Sequence, residues 1–413
     1  MSSLSLDKDR IRFLLLEGIH QSAVDSLADA GYTNVEYHKK ALPADQLAQS
    51  LSEAHFVGIR SRTQLTEAVL RDARRLIAVG CFCIGTNQVD LEAAERFGVP
   101  VFNAPFSNTR SVAELVLAEI IMLMRGIPAK NAAAHRGDWR KTAEQSFEVR
   151  GKQLGIVGYG HIGTQLSVLA EALGMQVTFY DIEHKLPLGN AAVADDLSGL
   201  LGQSDAVSLH VPSTPLTQNM IDAEAISAMK PGAILVNASR GDVVDIDALD
   251  TALERGHIGG AAIDVFPTEP KANDEQFSSP LQRHDNVILT PHIGGSTQEA
   301  QQNIAVEVAS KMIRYSDNGT TASAVNFPQA SLPDNHAHTR ILHIHRNEPG
   351  LLQRINRVFS ERSINIAAQY LQTTATIGYV VMDVDVTDPA ELIAELKALD
   401  GTVRARLLHR SGQ

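Results

Sequence analysis

The sequence predicts an α/β protein with two doubly wound parallel-sheet domains and a smaller C-terminal α+β domain. Short apolar runs alternate with helical patterns in two successive stretches of the chain, which favours parallel sheets covered by helices on both faces. Residues 316–339 are rich in Asn, Ser, Thr, Pro and Asp and indicate a linker. After the linker the order becomes strand, helix, strand, strand, helix, strand, which is the ferredoxin-like order.

The predicted elements follow these patterns in chain order. The first repeat has strands at 11–16, 56–59 and 76–79, and a long apolar helix at 111–125 follows it. The second repeat has strands at 154–157, 176–180, 206–210, 233–237, 260–263 and 287–289. An amphipathic helix after Ser296 returns the chain to the first domain, so that domain is predicted to be discontinuous. The C-terminal elements are strands at 340–345, 364–371, 377–386 and 402–408 and helices at 350–362 and 389–399.

These elements give predicted domains at 1–108 with 296–336, at 109–295, and at 337–413. Composition is ordinary for a globular protein, with 44% apolar and 20% charged residues. The formal net charge of −12 argues against nucleic acid or an anionic membrane as the main partner. The most apolar segment, 112–124, is shorter than the roughly 20 residues that span a bilayer.

The start of the chain has no secretory pattern, and Cys81 and Cys83 are the only cysteines. We therefore expect reduced thiols, a cytoplasmic location and no metal site.

A glycine-rich turn in the second repeat predicts a dinucleotide site. The apolar strand 154–157 leads into Gly158-Tyr-Gly160-His-Ile-Gly163 and then a helical pattern. Gly158 permits a tight turn, Gly160 lets the backbone approach a pyrophosphate, and Gly163 lets the helix pack on the sheet. Asp181 ends the next strand, where a carboxylate accepts hydrogen bonds from ribose hydroxyls and repels a 2′-phosphate. This Rossmann-like pattern predicts NAD as the cofactor.

Three polar residues follow strands of the same repeat. Arg240, Glu269 and His292 each stand just beyond a predicted strand, at the edge where open α/β sheets bind ligands. A histidine can take a hydroxyl proton, a glutamate can orient its ring, and an arginine can bind a carboxylate in a planar fork. The set therefore predicts hydride transfer at a 2-hydroxy acid.

The sequence around these residues resembles a known family. The segments at 237–245, 264–270 and 290–296 resemble the D-isomer-specific 2-hydroxyacid dehydrogenases, and the resemblance covers nearly the whole chain. It implies that Arg240 binds substrate, that His292 is the acid/base, and that Glu269 is its partner. It also implies cofactor contacts from Gly158, Gly160, His161, Ile162, Gly163, Asp181, Ala238, Ser239, Arg240, Asp264, His292, Ile293, Gly294 and Gly295.

Within the family, the chain is most similar to serine-sensitive bacterial members that oxidise D-3-phosphoglycerate. A phosphorylated substrate needs a second anion site, and Arg60-Ser61 follows a predicted strand of the first repeat. The resemblance implies substrate contacts from Arg60, Ser61, Asn108 and Lys141 besides Arg240 and His292. It also implies a homotetramer, and reduction of 2-oxoglutarate is expected to accompany the main activity because that substrate is also an anionic 2-oxo acid.

Residues 340–408 resemble an ACT domain, a small-molecule sensor. The resemblance implies that His345, Asn347 and Asn365 bind L-serine across a dimer of these domains. Two departures leave the transmission of a serine signal open. Glu348 replaces a basic residue that is usual in this loop. The linker at 332–338 lacks the paired glycines found in the serine-sensitive members that the chain resembles.

Two other functions remain open from the sequence. The first is another NAD-dependent D-2-hydroxyacid dehydrogenase, since the family signature does not choose the substrate. The second is a non-catalytic protein that senses NAD(H), against which the complete set of Arg240, Glu269 and His292 argues.

Overall fold

The computed structural model describes residues 7–270, 275–334, 339–386 and 389–408. The chain forms two compact units, one of Met1–Ser107 with Gln301–Gln413 and one of Asn108–Ala300. The predicted boundary between residues 336 and 337 lies outside the described residues. The glycine-rich turn and the three polar strand-end residues all belong to the second unit.

The first unit begins with a parallel five-stranded sheet in the order β2-β1-β3-β4-β5. Strands β1, β3 and β4 are buried along their whole length, as apolar strands of a parallel sheet should be. The elements are β1 (Phe13–Leu15), α1 (Gln21–Asp29), β2 (Val35–Tyr37), α2 (Ala44–Glu53), β3 (Phe56–Ile59), α3 (Glu67–Asp72), β4 (Ala78–Cys81), α4 (Leu91–Arg96) and β5 (Val101–Phe102).

The second unit holds a parallel seven-stranded sheet in the order β12-β11-β10-β9-β6-β7-β8. Its elements are α5 (Thr109–Met124), α6 (Ile127–His135), β6 (Gln153–Val157), α7 (His161–Ala172), β7 (Gln176–Tyr180), β8 (Ala192–Val193), α8 (Leu197–Gln203), β9 (Ala206–Leu209), α9 (Ala223–Ala228), β10 (Ala233–Asn237), α10 (Ile246–Glu254), β11 (Ile258–Ile263) and β12 (Val287–Leu289). One apolar cluster joins this sheet to α5 and α7, and another joins it to α8, α9 and α10, so each face has its own core. The order reverses between β6 and β9, which is where such folds bind ligands.

Helix α11 (Gln298–Asn318) leads back to the first unit. The C-terminal part is an antiparallel four-stranded sheet in the order β14-β15-β13-β16 with two helices. Its elements are β13 (Thr339–Arg346), α12 (Leu351–Glu361), β14 (Ile366–Thr373), β15 (Ile377–Val384), α13 (Ala390–Ala398) and β16 (Thr402–Leu407). One apolar cluster continues from β1 through α11 to β15, so both sheets of this unit share a core.

The predicted fold class is confirmed: two parallel α/β sheets precede an antiparallel sheet with the ferredoxin-like element order. Four of the predicted strands, at 56–59, 176–180, 233–237 and 287–289, have the observed bounds. Strands β2, β5 and β8 and helix α6 were not predicted. Among the described residues, none of the helices combines the length and apolar character that a bilayer crossing requires.

Candidate active site

The turn between β6 and α7 forms a cradle with backbone groups. Gly158 has φ +91°, and a Cβ there would lie 2.3 Å from the carbonyl oxygen of His210. A Cβ on Gly163 would lie 2.2 Å from the carbonyl oxygen of Gly158, so the helix packs here only with glycine. A Cβ on Gly160, by contrast, would meet no atom within 4 Å. The space over Gly160 is therefore open, at the start of a 12-residue helix whose N-cap has no side-chain hydrogen bond. A helix N-terminus presents backbone N–H groups and the positive end of the helix dipole, which suit a phosphate, so this cradle fits the pyrophosphate of NAD.

Asp181 follows β7 beside this cradle. Its Oδ2 accepts a hydrogen bond from the Tyr159 N–H at 2.8 Å, and its Oδ1 accepts one from the Glu183 N–H at 2.9 Å. These bonds fix the carboxylate at the carboxyl end of the sheet, where a ribose would lie if the pyrophosphate occupied the cradle. Of the other residues expected here, His161 is exposed at the start of α7 and Ile162 packs against the core of the unit.

The loop after β10 is shaped by the side chain of Asn237. Its Oδ1 accepts hydrogen bonds from the N–H and the hydroxyl of Ser239, and its Nδ2 donates to the carbonyl of Arg240 at 2.9 Å. A Cβ on Gly241 would lie 2.1 Å from the backbone of Phe266, so only glycine allows this close approach of the two loops. The predicted residues Ala238, Ser239 and Arg240 thus lie in one fixed turn, and Arg240 is exposed.

His292 and Glu269 form the central pair of the site. His292 Nδ1 lies 2.9 Å from Glu269 Oε2, and Glu269 Oε1 accepts a hydrogen bond from the Phe266 N–H at 3.1 Å. The hydrogen bond to Glu269 raises the pKa of His292 against the opposing effect of burial. Burial favours the neutral form of Glu269, but its bonds with His292 and Phe266 prevail and lower the pKa of the carboxyl. A nearby Arg240 lowers the pKa of both groups, so these three residues form one electrostatic cluster.

Asp264 holds the loop that carries His292. Its buried carboxylate accepts hydrogen bonds from the Thr290 hydroxyl at 2.6 Å and from the N–H groups of Ile293 and Gly294, each at 2.8 Å. The His292 N–H donates to the Asp264 carbonyl at 2.8 Å, and His292 itself has φ +54°. A non-glycine residue in this region is uncommon, and here the surrounding bonds impose it. The hydrogen bonds of Asp264 therefore fix the loop that orients the His292 ring.

The remaining residues expected to bind substrate fall in both units. Buried Asn108 precedes α5, and a Cβ on Gly295 would lie 2.5 Å from its Nδ2, so these two residues are close together. Lys141 is exposed in the same unit. Arg60 and Ser61 belong to the other unit, directly after β3. There the Glu17 carboxylate accepts hydrogen bonds from the next two N–H groups, those of Arg62 and Thr63, which fixes this turn.

The residues expected to bind serine have separate surroundings within one chain. His345 is buried, and burial lowers the pKa of its ring. Asn347 Nδ2 donates to the Thr374 carbonyl at 2.8 Å, whereas Asn365 Nδ2 donates to Asp385 at 3.0 Å. The two asparagines are exposed, so their amide groups are accessible from solvent in a single chain.

Two residues near the site were not singled out from the sequence. Glu119 on α5 is buried, with neither carboxyl oxygen bonded among the described residues, and burial with the neighbouring charge of Asp264 raises its pKa to about 8. The sequence signal for Glu119 was a carboxyl group within an apolar helix. That Glu119 lies close to Asp264 could not be predicted, because the tertiary fold brings the two residues together. His210 directly follows β9, but the predicted strand at 206–210 included it, so the strand-end rule that found Arg240 passed over it. Burial lowers the pKa of His210 to about 4.

Within the described parts of the chain, no three His, Cys, Asp or Glu side chains cluster as metal ligands. The arrangement has instead a proton-accepting pair, a cationic side chain and a phosphate cradle on one sheet edge. These parts suit transfer of a hydride from a 2-hydroxy acid to a dinucleotide.

Comparison with known proteins points to the same chemistry. Residues 117–294 match the family model of the D-isomer specific 2-hydroxyacid dehydrogenase NAD binding domain, and residues 341–404 match an ACT domain like that of the AHAS small subunit. The chain is 63% identical to D-3-phosphoglycerate dehydrogenase of Escherichia coli, over 99% of this chain and 100% of that one. It is 60% identical to D-3-phosphoglycerate dehydrogenase of Haemophilus influenzae, with the same shares covered.

A solved structure is similar to about three quarters of the chain. D-lactate dehydrogenase of Aquifex aeolicus, complexed with NAD and lactic acid, aligns with a TM-score of 0.63 and 28% identity over 74% of this chain and 95% of that one. The expected cofactor, NAD, and the expected enzyme class, an oxidoreductase, are both supported by these matches. The chain therefore belongs to the D-isomer-specific 2-hydroxyacid dehydrogenase family.

Proposed function

We propose that the chain oxidises D-3-phosphoglycerate to 3-phosphohydroxypyruvate, the first step of L-serine biosynthesis. The observation that carries the proposal is the His292–Glu269 pair, 2.9 Å apart, with Arg240 in the adjoining turn. The choice of substrate is supported by relatives named D-3-phosphoglycerate dehydrogenase, which are 60–63% identical to the chain over essentially their whole length.

Each residue of the cluster has a distinct task in this reaction. Because Glu269 engages Nδ1, the Nε2 of His292 is the nitrogen that accepts the hydroxyl proton of the substrate. Glu269 fixes the ring and stabilises the imidazolium that forms, and Arg240 binds the substrate carboxylate. Bound NAD supplies the acceptor for the hydride that leaves the same carbon. In the reverse direction, protonated His292 returns its proton to the 2-oxo group.

A separate anion site would hold the phosphate of the substrate. We infer that Arg60 and Ser61 hold this phosphate by charge and hydrogen bonding, and that Asn108 and Lys141 are further substrate contacts, as the family resemblance implies. A phosphorylated substrate would thus be distinguished from an unphosphorylated 2-hydroxy acid by contacts remote from the reacting carbon.

Regulation and assembly extend the proposal. We infer that L-serine binds the ACT domain through His345, Asn347 and Asn365 and inhibits the enzyme, and that 2-oxoglutarate is reduced in a side activity.

We also propose a cytoplasmic homotetramer. Its assembly is supported by Trp139, which is 88% exposed in the single chain and suits a subunit contact.

A substrate panel tests the proposed activity. NADH production is measured with D-3-phosphoglycerate, D-lactate and D-2-hydroxyglutarate, each with and without millimolar L-serine. We expect the highest kcat/KM with D-3-phosphoglycerate and a lower rate with serine. Turnover of only the unphosphorylated acids would assign another D-2-hydroxyacid dehydrogenase, and NADH binding without any turnover would assign a nicotinamide sensor. A rate that serine leaves unchanged would remove the proposed inhibition alone.

The pH profile tests the role of Glu269. Oxidation needs neutral His292, so its rate falls as the pH drops through the pKa of the histidine, which Glu269 raises. In Glu269→Gln this support is lost, and the acid limb of kcat/KM is expected to move to lower pH while the plateau falls. Asp250→Asn, which removes the carboxylate bonded to His284 at 2.8 Å, should leave the limb in place. An unmoved limb in Glu269→Gln would contradict the assignment.

Cofactor preference tests the role of Asp181. Asp181→Asn removes the charge that repels a 2′-phosphate and weakens the acceptor for the ribose hydroxyls. We expect the ratio of kcat/KM for NAD to that for NADP to fall by about tenfold, the equivalent of about 1.4 kcal/mol. Glu183→Gln, which changes a carboxylate two residues away, is the matched control and should keep the ratio. Equal effects of the two substitutions would show that Asp181 does not select the cofactor.

A further inference from the structure

A cavity of about 600 Å³ lies within the first unit, between the first sheet's helices and the C-terminal sheet. One wall comes from α3, the turn after it, and the end of α4. The other wall comes from the end of β13 and the starts of β15 and β16. A volume of this size is in the range that holds a small molecule.

Arginines dominate the charge of this cavity, which is lined by Arg71, Arg74, Arg96, Arg346 and Arg404. Arg71 and Arg96 share one partner, Glu67, and Arg346 pairs with Glu348 and Asp400. The Arg74 side chain has no ion pair or hydrogen bond within the described ranges. The five guanidinium groups therefore outnumber the three carboxylates that pair with them, on a chain whose formal net charge is −12.

The innermost arginine is fixed by the backbone of the opposite wall. Arg404 on β16 donates from Nε to the Phe97 carbonyl at 2.6 Å and from Nη1 to the Leu76 carbonyl. On the rim, the hydroxyls of Thr374 and Thr376 both donate to Glu95, at 2.8 and 2.7 Å. The two walls are thus held together by specific hydrogen bonds, so the cavity is a built feature of this unit.

We propose that this cavity is a binding site for a small molecule that carries phosphate groups. Guanidinium groups bind phosphate oxygens in pairs, and arginines converging from both walls match a ligand with several such oxygens. Apolar Leu70, Phe97 and Val403 share the lining and suit the carbon skeleton of a metabolite. The site is separate from the dinucleotide cradle, which belongs to the other unit.

Calorimetry with inorganic tripolyphosphate tests the site. The full chain is titrated in the presence of saturating NADH, which occupies the dinucleotide cradle. Arg74→Gln and Arg346→Gln are compared with Arg75→Gln, which alters the neighbouring exposed arginine outside the cavity lining. Arg404 stays unchanged in these variants, because its loss would leave the carbonyls of Leu76 and Phe97 without their donor.

The expected result is saturable binding that Arg74→Gln and Arg346→Gln each weaken by about tenfold, the loss of one charge-assisted contact. Arg75→Gln should bind as the native chain does. Absence of binding at millimolar tripolyphosphate would overturn the proposal. An equal loss in all three variants, or none in any, would also overturn it, because the ion would then respond to overall charge or bind elsewhere. Tripolyphosphate bound at the substrate's proposed phosphate site would not respond to Arg74→Gln or Arg346→Gln, so the comparison of variants tests this cavity separately from the proposed function.

Discussion

Replacing His292 with alanine is expected to lower the turnover of D-3-phosphoglycerate by about 100- to 10,000-fold, the usual contribution of a positioned acid/base. The substitution removes the proton acceptor that Glu269 orients from 2.9 Å. NADH affinity should stay near its native value, because His292 is one of many expected cofactor contacts and the glycine-rich cradle and Asp181 are unchanged. Steady-state kinetics measure the loss, and fluorescence titration of NADH measures the binding.

A matched control exists in the same unit. His284 also pairs with a carboxylate, that of Asp250, at 2.8 Å, but it precedes β12 and lies outside the proposed site. His284→Ala should therefore keep most of the turnover. Turnover in His292→Ala within about threefold of the native rate would rule out the proton transfer assigned to this imidazole, since even a modest acid/base contributes more.

The second large effect concerns stability. Asp383→Ala is expected to lower the free energy of unfolding by about 3–5 kcal/mol, because it leaves a buried guanidinium without its counter-charge. Arg340 Nε and Nη2 bond the two oxygens of Asp383 at 2.6 and 2.7 Å, and both residues are buried. Arg340 Nη1 also donates to the carbonyls of Asn318 and Pro333. Displacement of the unpaired guanidinium would therefore also weaken the packing of the segment before the C-terminal sheet.

Urea unfolding measures this change, with the slope compared between variants. Arg362→Ala provides the control, because Arg362 pairs with Glu391 and Glu395 at the exposed surface of the same C-terminal part. Exposed ion pairs contribute little, so its midpoint should stay close to the native one. A midpoint for Asp383→Ala as close to native as the control's would contradict the stability assigned to the buried pair.

Much of the fold could be predicted from the sequence because buried strands of a parallel sheet have continuous apolar sequences. Strands β3, β7, β10 and β12 have the predicted bounds for this reason. Strand β8, by contrast, has two exposed residues and pairs with β7 at the edge of the sheet, so its pattern does not differ from that of a loop. Short edge strands of this kind are defined by their neighbours rather than by their own residues.

In the candidate site, too, some residues could be predicted from the sequence and others could not. Arg240, Glu269 and His292 could be picked out because each follows a strand, and the fold brings Glu269 and His292 into direct contact. The support from Asp264 to Thr290 and Gly294 depends on backbone geometry that no residue pattern encodes. The arginine cavity was also beyond prediction, because its two walls come from the distant segments 70–97 and 346–404.

The apolar cluster that runs from Phe13 through Tyr315 to Tyr379 makes the C-terminal sheet a poor candidate for excision. The Tyr379 hydroxyl donates to the Gly319 carbonyl at 2.6 Å, which ties β15 to the segment after α11. Cutting the chain before β13 would bring Leu342, Ile344 and Val381 into water on one fragment and their packing partners on the other. A regulatory domain transplanted from this protein would therefore need its buried face redesigned, and a shortened catalytic fragment would tend to aggregate.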